Sequence, residues 1–300
     1  VLLGLDGNDL LNGGLGVDRL VGGAGDDNYY VDSRSDRIVE LADQGVDTVY
    51  ASSSYTLYSN LENLILLGDG NFSLGGNSLD NRLVGNDGNN VLAGGLGADI
   101  LEGGLGDDTY VLSDDKDTII DTGGIDTIRS VLDIELVAGI EDAELVGILN
   151  TNATGTAADN VLIGNLGNNT LDGKGGVDFL YGGMGADSFV LSYNGDGTEA
   201  DVVGDFNSDE DLLIIDLGSF DVDVEALGLA GSGLVSESSF VARAGAQPLD
   251  PDDHFIFDTA HGVLKFDYDG SGSLSAYDIA TIYIDDQSSS LTATDIYVAI

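Results

Sequence analysis

The residues best suited to chemistry in this 300-residue chain are aspartates, and they keep step with glycines. The stretch GGLGVDRLVGGAGDDNYY (13–30) splits into two nonapeptides. Each has glycine at its first, second and fourth positions, an acid at the sixth and an apolar residue at the eighth. The same phase recurs in eleven nonapeptides, grouped as 4–30, 76–111 and 155–190. Their sixth positions are Asp9, Asp18, Asp27, Asn81, Asn90, Asp99, Asp108, Asn160, Asn169, Asp178 and Asp187. Carboxylates set beside glycine-freed backbone carbonyls make an all-oxygen donor set. Calcium takes six to eight such oxygens in flexible geometry, whereas magnesium demands a tighter octahedron and zinc favours His or Cys. The spacing therefore points to several calcium ions.

Catalytic chemistry is thinly provided for. His254 and His261 are the two histidines, and no H-E-x-x-H or G-x-S-x-G motif occurs. Paired acids abound, but their phase assigns them to metal loops rather than to a glycosidase cleft. The chain is expected not to be an enzyme, with any catalytic domain upstream of Val1.

The elements that must position the aspartates follow from the repeat. The first six residues read as a tight turn, since glycine adopts φ > 0 and lets backbones approach closely. The last three read as a short strand whose alternation points the eighth residue inward. That residue is leucine in eight repeats, and Tyr29, Tyr110 or Phe189 closes each block. Two nonapeptides then make one turn of a coil, with parallel strands enclosing a leucine column that the aromatics are expected to end. A larger period of about 80 residues lies on top, because Asp47-Thr48-Val49 recurs as Asp126-Thr127-Ile128. The spacers 31–75 and 112–154, rich in β-branched and aromatic residues, are expected to continue the coil. Stacking brings sixth-position acids together, and two carboxylates ~5 Å apart repel by about 3 kcal/mol at an effective dielectric of ~20. A cation between facing loops reverses that sign.

Composition agrees. Acids number 54 against nine Lys and Arg, a net charge of −45, so a nucleic-acid or anionic-membrane partner is disfavoured. A hydrophobic content of 42% suffices for a core. The absence of cysteine excludes disulfides and thiolate metal sites, and no run of 18 apolar residues marks a transmembrane helix.

The phase G-G-x-G-x-D-x-U-x, close to its ideal in GGLGVDRLV, GGAGDDNYY, GGLGADILE and GGLGDDTYV, resembles the RTX, or haemolysin-type, calcium-binding repeat. The spacer GVDTVYASSSYTLYSNLENLILLG (45–68) also looks like a segment found between RTX blocks. The resemblance implies an all-β fold, a parallel β-roll. It implies ions held by sixth-position side chains and by carbonyls at positions one, three and five, shared between one loop and the loop two repeats on. Carried over residue by residue, the candidate ligands are Asp9, Asp18, Asp27, Asn90, Asp99, Asp108, Asn169, Asp178 and Asp187, with Gly13, Gly22, Gly94, Gly103, Gly173 and Gly182. Asp9 and Asp27 are expected to approach one ion, and Asp18 to share none with Asp27. Repeats 76–84 and 155–163 lack the fourth-position glycine and have Asn at position six.

The nonapeptides stop at Val190, so 1–190 reads as the roll and 191–300 as a C-terminal β-rich cap. ADVVGDFNSDEDLLIIDL (200–217) reads as strand, acidic turn and strand, with Asp205, Asp209 and Asp211 read as a solvated turn or, alternatively, as a further cation site. Residues 254–284 alternate like β-hairpins. Within them Asp267, Asp269, Ser271, Gly272 and Asp278 have EF-hand-like spacing, with Asp where position 12 normally has Glu. The ending LTATDIYVAI resembles the C-terminal signal read by type I secretion systems. The resemblance implies a secreted or cell-surface module that folds on meeting extracellular calcium. The alternative is an adhesin, a surface-layer segment or the accessory module of a polysaccharide-modifying enzyme, with cell-surface glycans as partners.

Overall fold

The seventh to ninth residues of the nonapeptides form three-residue strands, as in Leu10–Asn12, Arg82–Val84, Ile100–Glu102 and Thr170–Asp172. In each the middle residue is buried. The structure is a computed structural model that describes residues 1–192, 200–220, 232–270, 276–284 and 290–300. It divides into two units, Val1–Leu132 and Asp133–Ile300. Both are parallel β-solenoids, and no helix among the described residues is long and apolar enough to cross a membrane.

In the first unit, strands two repeats apart pair in parallel. One ladder aligns Leu11, Tyr29, Val49, Leu64, Leu83, Leu101 and Ile119 in register. The other aligns Leu20 with Ile38, and further along Tyr55, Leu74, Leu92, Tyr110 and Ile128. From Leu11 to Leu101 the first column is buried, and full burial of such a side chain stabilises by about 1.5–3 kcal/mol. The spacer therefore continues the coil. Its strands Thr48–Ala51 and Asn63–Leu66 stand between the first block and the second.

That continuation corrects the role expected for the closing aromatics. Tyr29 does not end its column, since Leu11 lies on one side and Val49 on the other. A buried phenol needs a partner for its hydroxyl. Tyr29 donates to Glu40 Oε1, and Tyr110 donates to Asp121 Oδ2 at 2.5 Å.

The second unit repeats the scheme with columns Ala143, Leu162, Leu180, Val203 and Ile282, and Ala153, Leu171, Phe189, Leu213 and Ile296. Strands Asp201–Phe206 and Leu212–Asp216 flank the acidic turn and join different sheets. The final strand, Ile296–Ala299, adds in parallel to Leu212–Asp216. Phe255–Asp258, Val263–Phe266 and Tyr277–Ile284 pair antiparallel, as the hairpin pattern predicts.

Candidate metal centres

The sixth-position side chains form an axial ladder. Oδ1 of five of the aspartates accepts the backbone N–H of the sixth residue two repeats earlier. Asp27 accepts from Asp9 at 2.7 Å, Asp99 from Asn81 at 2.7 Å, Asp108 from Asn90 at 2.7 Å, Asp178 from Asn160 at 2.8 Å and Asp187 from Asn169 at 2.8 Å. Asp9 and Asp27 are thus together, while Asp18 pairs with Asp36 at 2.9 Å. The ladder runs on past the blocks: Asp47, Asp117, Asp126, Asp201 and Asp211 accept from Asp27, Asp99, Asp108, Asp178 and Asp187.

The second carboxylate oxygen has a different fate. Oδ2 of Asp9, Asp27, Asp99, Asp108, Asp117 and Asp178 is buried with no hydrogen-bond partner. A buried charged oxygen left unsatisfied costs about 1–3 kcal/mol or more. A hard cation among these oxygens removes that cost, and the all-oxygen donor set suits calcium. First-position glycines make the space. A Cβ on Gly22, Gly94, Gly103, Gly173 or Gly182 would overlap the sixth-position carboxylate of its own repeat, and one on Gly13 would lie 3.0 Å from Asp18 Cβ. The carbonyls of Gly22, Gly94, Gly103, Gly173 and Gly182 face the first-position glycine two repeats earlier.

The asparagine loops are built otherwise. In all seven Asp-type repeats the second residue has positive φ, including Leu5 (90°) and Lys174 (71°). Asn77, Asn86, Thr156 and Asn165, second in the Asn-type repeats, do not. Their N–H groups instead donate to Oδ1 of Asn81, Asn90, Asn160 and Asn169 in the same repeat, at 2.7–2.8 Å. The amide nitrogens reach back to earlier carbonyls, as Asn90 to Gly70 at 3.4 Å and Asn169 to Thr151 at 2.5 Å. Asn90 and Asn169, grouped with the aspartates as candidate ligands, therefore have both ends of the amide engaged within the chain.

Two features escape a reading confined to columns six and eight. The first is a counter-running ladder at position five. Asn8, Asp26, Asp80, Asn89, Asp107, Asp159 and Asn168 accept the N–H of the corresponding residue one coil turn later, at 2.8–3.1 Å. Asx at position five in seven of eleven repeats is its signal. The second is a trio of acids after the blocks. Glu40 accepts the Gly22 N–H at 3.0 Å, Asp121 binds Tyr110, and Asp205 accepts from Gly182 at 2.9 Å and Gly183 at 2.8 Å.

In the acidic turn 207–211, Asp211 is buried and also accepts the Asn207 N–H at 2.8 Å. In the EF-hand-like segment Asp278 meets Lys265 Nζ at 2.5 Å, while Ser271 and Gly272 lie outside the described residues. His254 is buried, its Nδ1 2.8 Å from the Asp267 carbonyl, and His261 Nδ1 lies 2.7 Å from Asp258. That contact, with N–H donors from Gly245 and Ala260, lowers Asp258 to about 2.

Burial dominates the electrostatics of the ladder. Desolvation raises Asp99, Asp108 and Asp187 to about 6, Asp47, Asp126 and Asp178 to about 7, and Asp201 to about 8. N–H donors oppose the rise, and neighbouring carboxylates add to it. Without a counter-ion, Asp47, Asp126, Asp178 and Asp201 hold protons into the neutral range.

A family model described as the RTX calcium-binding nonapeptide repeat matches residues 1–37, 75–110 and 154–189. The chain is 46% identical over 81 residues to the endo-1,3-1,4-beta-glycanase ExsH of Rhizobium meliloti (strain 1021). It is 40% identical over 82 residues to the endo-1,3-1,4-beta-glycanase EglC of the same organism. Each match covers 27% of this chain and 17% of the relative.

Proposed function

We propose that this chain, which carries RTX calcium-binding nonapeptide repeats, is a structural module that assembles around calcium after export from the cell. The observation that carries this reading is the buried, unsatisfied Oδ2 of Asp9, Asp27, Asp99, Asp108, Asp117 and Asp178. A chain with these groups and a charge of −45 is destabilised without cations. Millimolar extracellular calcium suits modules with dissociation constants of ~10⁻⁴–10⁻³ M. Binding free energy then becomes folding free energy, because the unfolded chain has no preformed site. The ion ligands in this reading are Asp9, Asp18, Asp27, Asp99, Asp108, Asp178 and Asp187 with carbonyls of the facing loops. The asparagine loops, neutral and internally bonded, carry no ion. The Ile296–Ala299 strand doubles as part of the export signal, since recognition precedes folding. Similarity to endo-glycanases supports a repeat module shared with glycan-acting proteins, and it lends no glycan-cleaving role to these residues.

Circular dichroism in millimolar calcium and in excess chelator tests the reading. A β spectrum only in calcium is expected. The same spectrum in both refutes it.

A further inference from the structure

Where the first and second blocks meet their spacers, the coil changes the group that faces the last loop. Inside a block, the first-position glycine of one loop faces the first-position carbonyl two repeats on, as Gly4 faces Gly22 and Gly85 faces Gly103. Eighteen residues after Gly22 and Gly103 the spacer has Glu40 and Asp121 instead. Glycine carbonyls are thereby replaced by carboxylates. The spacer also returns an aspartate to the sixth-position ladder, Asp47 or Asp126.

One carboxylate oxygen from each of Asp27, Glu40 and Asp47 lies within 4.8 Å of the other two, and the same holds for Asp108, Asp121 and Asp126. Asp27, Glu40 and Asp47 are all at least nine-tenths buried. Asp27 Oδ2 and Glu40 Oε2 have no hydrogen-bond partner, nor does Asp108 Oδ2. At Gly22, Asp27 Oδ2, the Tyr29 hydroxyl and Glu40 Oε1 converge on the point where a side chain would begin. At Gly103, Asp108 Oδ2 and the Tyr110 hydroxyl do the same. No Lys or Arg is hydrogen-bonded or ion-paired to Asp27, Glu40, Asp47, Asp108 or Asp121 among the described residues.

We infer that each of these two blocks ends in a cation site completed by the spacer. Asp27, Glu40 and Asp47 hold one calcium ion, and Asp108, Asp121 and Asp126 hold another. These sites bind more tightly than those between nonapeptide loops, because affinity rises with ligand charge and rigidity and each has three carboxylates. The inference rests on the proposed calcium-assembled roll and adds an order of filling, junctions first.

The test uses the full 300-residue chain, with Glu40→Gln and Asp121→Asn as near-isosteric variants. Calcium affinities come from competition with a chromophoric chelator, and thermal midpoints from protein with and without calcium. Each variant is expected to weaken the tightest class of sites tenfold or more. Each is expected to lower the midpoint in calcium and raise it in stripped protein, where neutralising one acid relieves repulsion. Unchanged affinity, with midpoints raised in both conditions, overturns the inference while leaving the calcium-assembled roll intact. A wild-type chain equally folded in calcium and chelator overturns that reading itself. If a carboxylate variant fails to fold, Tyr29→Phe with Tyr110→Phe decides. The chain has no tryptophan, so tyrosine-sensitised terbium emission should fall at least twofold in this pair. Undiminished emission from the first terbium bound overturns the inference.

Discussion

Glycine at the first position of the repeat is a space requirement as well as a turn requirement. At Gly94 a Cβ would overlap the Asp99 carboxylate, whereas at Gly7, with φ of 113°, a Cβ meets nothing within 4 Å. Gly94→Ala is therefore expected to cost about 1–3 kcal/mol, as overpacking does, and to weaken calcium binding. Gly7→Ala is expected to cost about 1–2 kcal/mol from the left-handed backbone alone, with calcium affinity unchanged. Urea unfolding in saturating calcium, paired with calcium titration, separates the two. The sixth position divides in the same way. Asn169→Asp removes the amide donor to Thr151 and the neutral cross-link to Asn165. It is expected to destabilise by about 1–3 kcal/mol without adding a bound calcium, which calorimetric ion counting checks. An added ion would show that charge at position six suffices to make a site. These distinctions were half visible in the sequence. Column six displays its Asp and Asn, but their tie to the handedness of position two emerges only from the backbone.

At the scale of the elements, the spacer is the informative case. The β-branched and aromatic content of the spacer is enough to predict strands there, and pairing economy is enough to predict that they prolong the coil. The acids that the spacer supplies were harder to read. Asp36 and Asp117 keep the 18-residue step from Asp18 and Asp99. Asp47 lies 20 residues from Asp27, Asp201 lies 23 from Asp178 and Asp211 lies 24 from Asp187. Extra residues in these turns break a fixed period while the hydrogen-bond ladder tolerates them. The first-position glycine that marked the phase is replaced there, so Glu40 and Asp121 resemble ordinary surface acids until the fold buries Glu40 and half-buries Asp121. Because each coil contacts chiefly its neighbours, a lesion in the spacer should be felt on both sides. Leu64, fully buried between Val49 and Leu83, tests this. Leu64→Ala is expected to cost about 2–5 kcal/mol. It should also raise amide exchange in Asn28–Val31 and Arg82–Val84, followed site by site by hydrogen exchange. Faster exchange confined to Asn63–Leu66 would show that the spacer does not couple the blocks.

For the whole molecule, protons and calcium compete for the same file of carboxylates, and the sign of the pH dependence follows from their environment. Asp99, Asp108 and Asp187 are raised to about 6, Asp47, Asp126 and Asp178 to about 7, and Asp201 to about 8. In the unfolded chain an aspartate titrates near 3.9. Between roughly pH 4 and 8 the ion-free fold thus holds protons that the unfolded chain has released. Its stability is greatest at the acid end and falls as pH rises through these values. The net charge of −45 reinforces the trend, since protonation also relieves repulsion across the surface. Bound calcium reverses the dependence, because ions need ionised ligands and acid displaces them. Protein stripped of calcium on a chelating resin is therefore expected to regain β structure when taken from pH 7.5 to about 5.5. Protein in millimolar calcium is expected to lose thermal stability over the same step. Circular dichroism melts at both pH values, with and without calcium, check the crossing. Parallel pH trends in the two conditions would show that the raised carboxylates do not govern the ion-free fold.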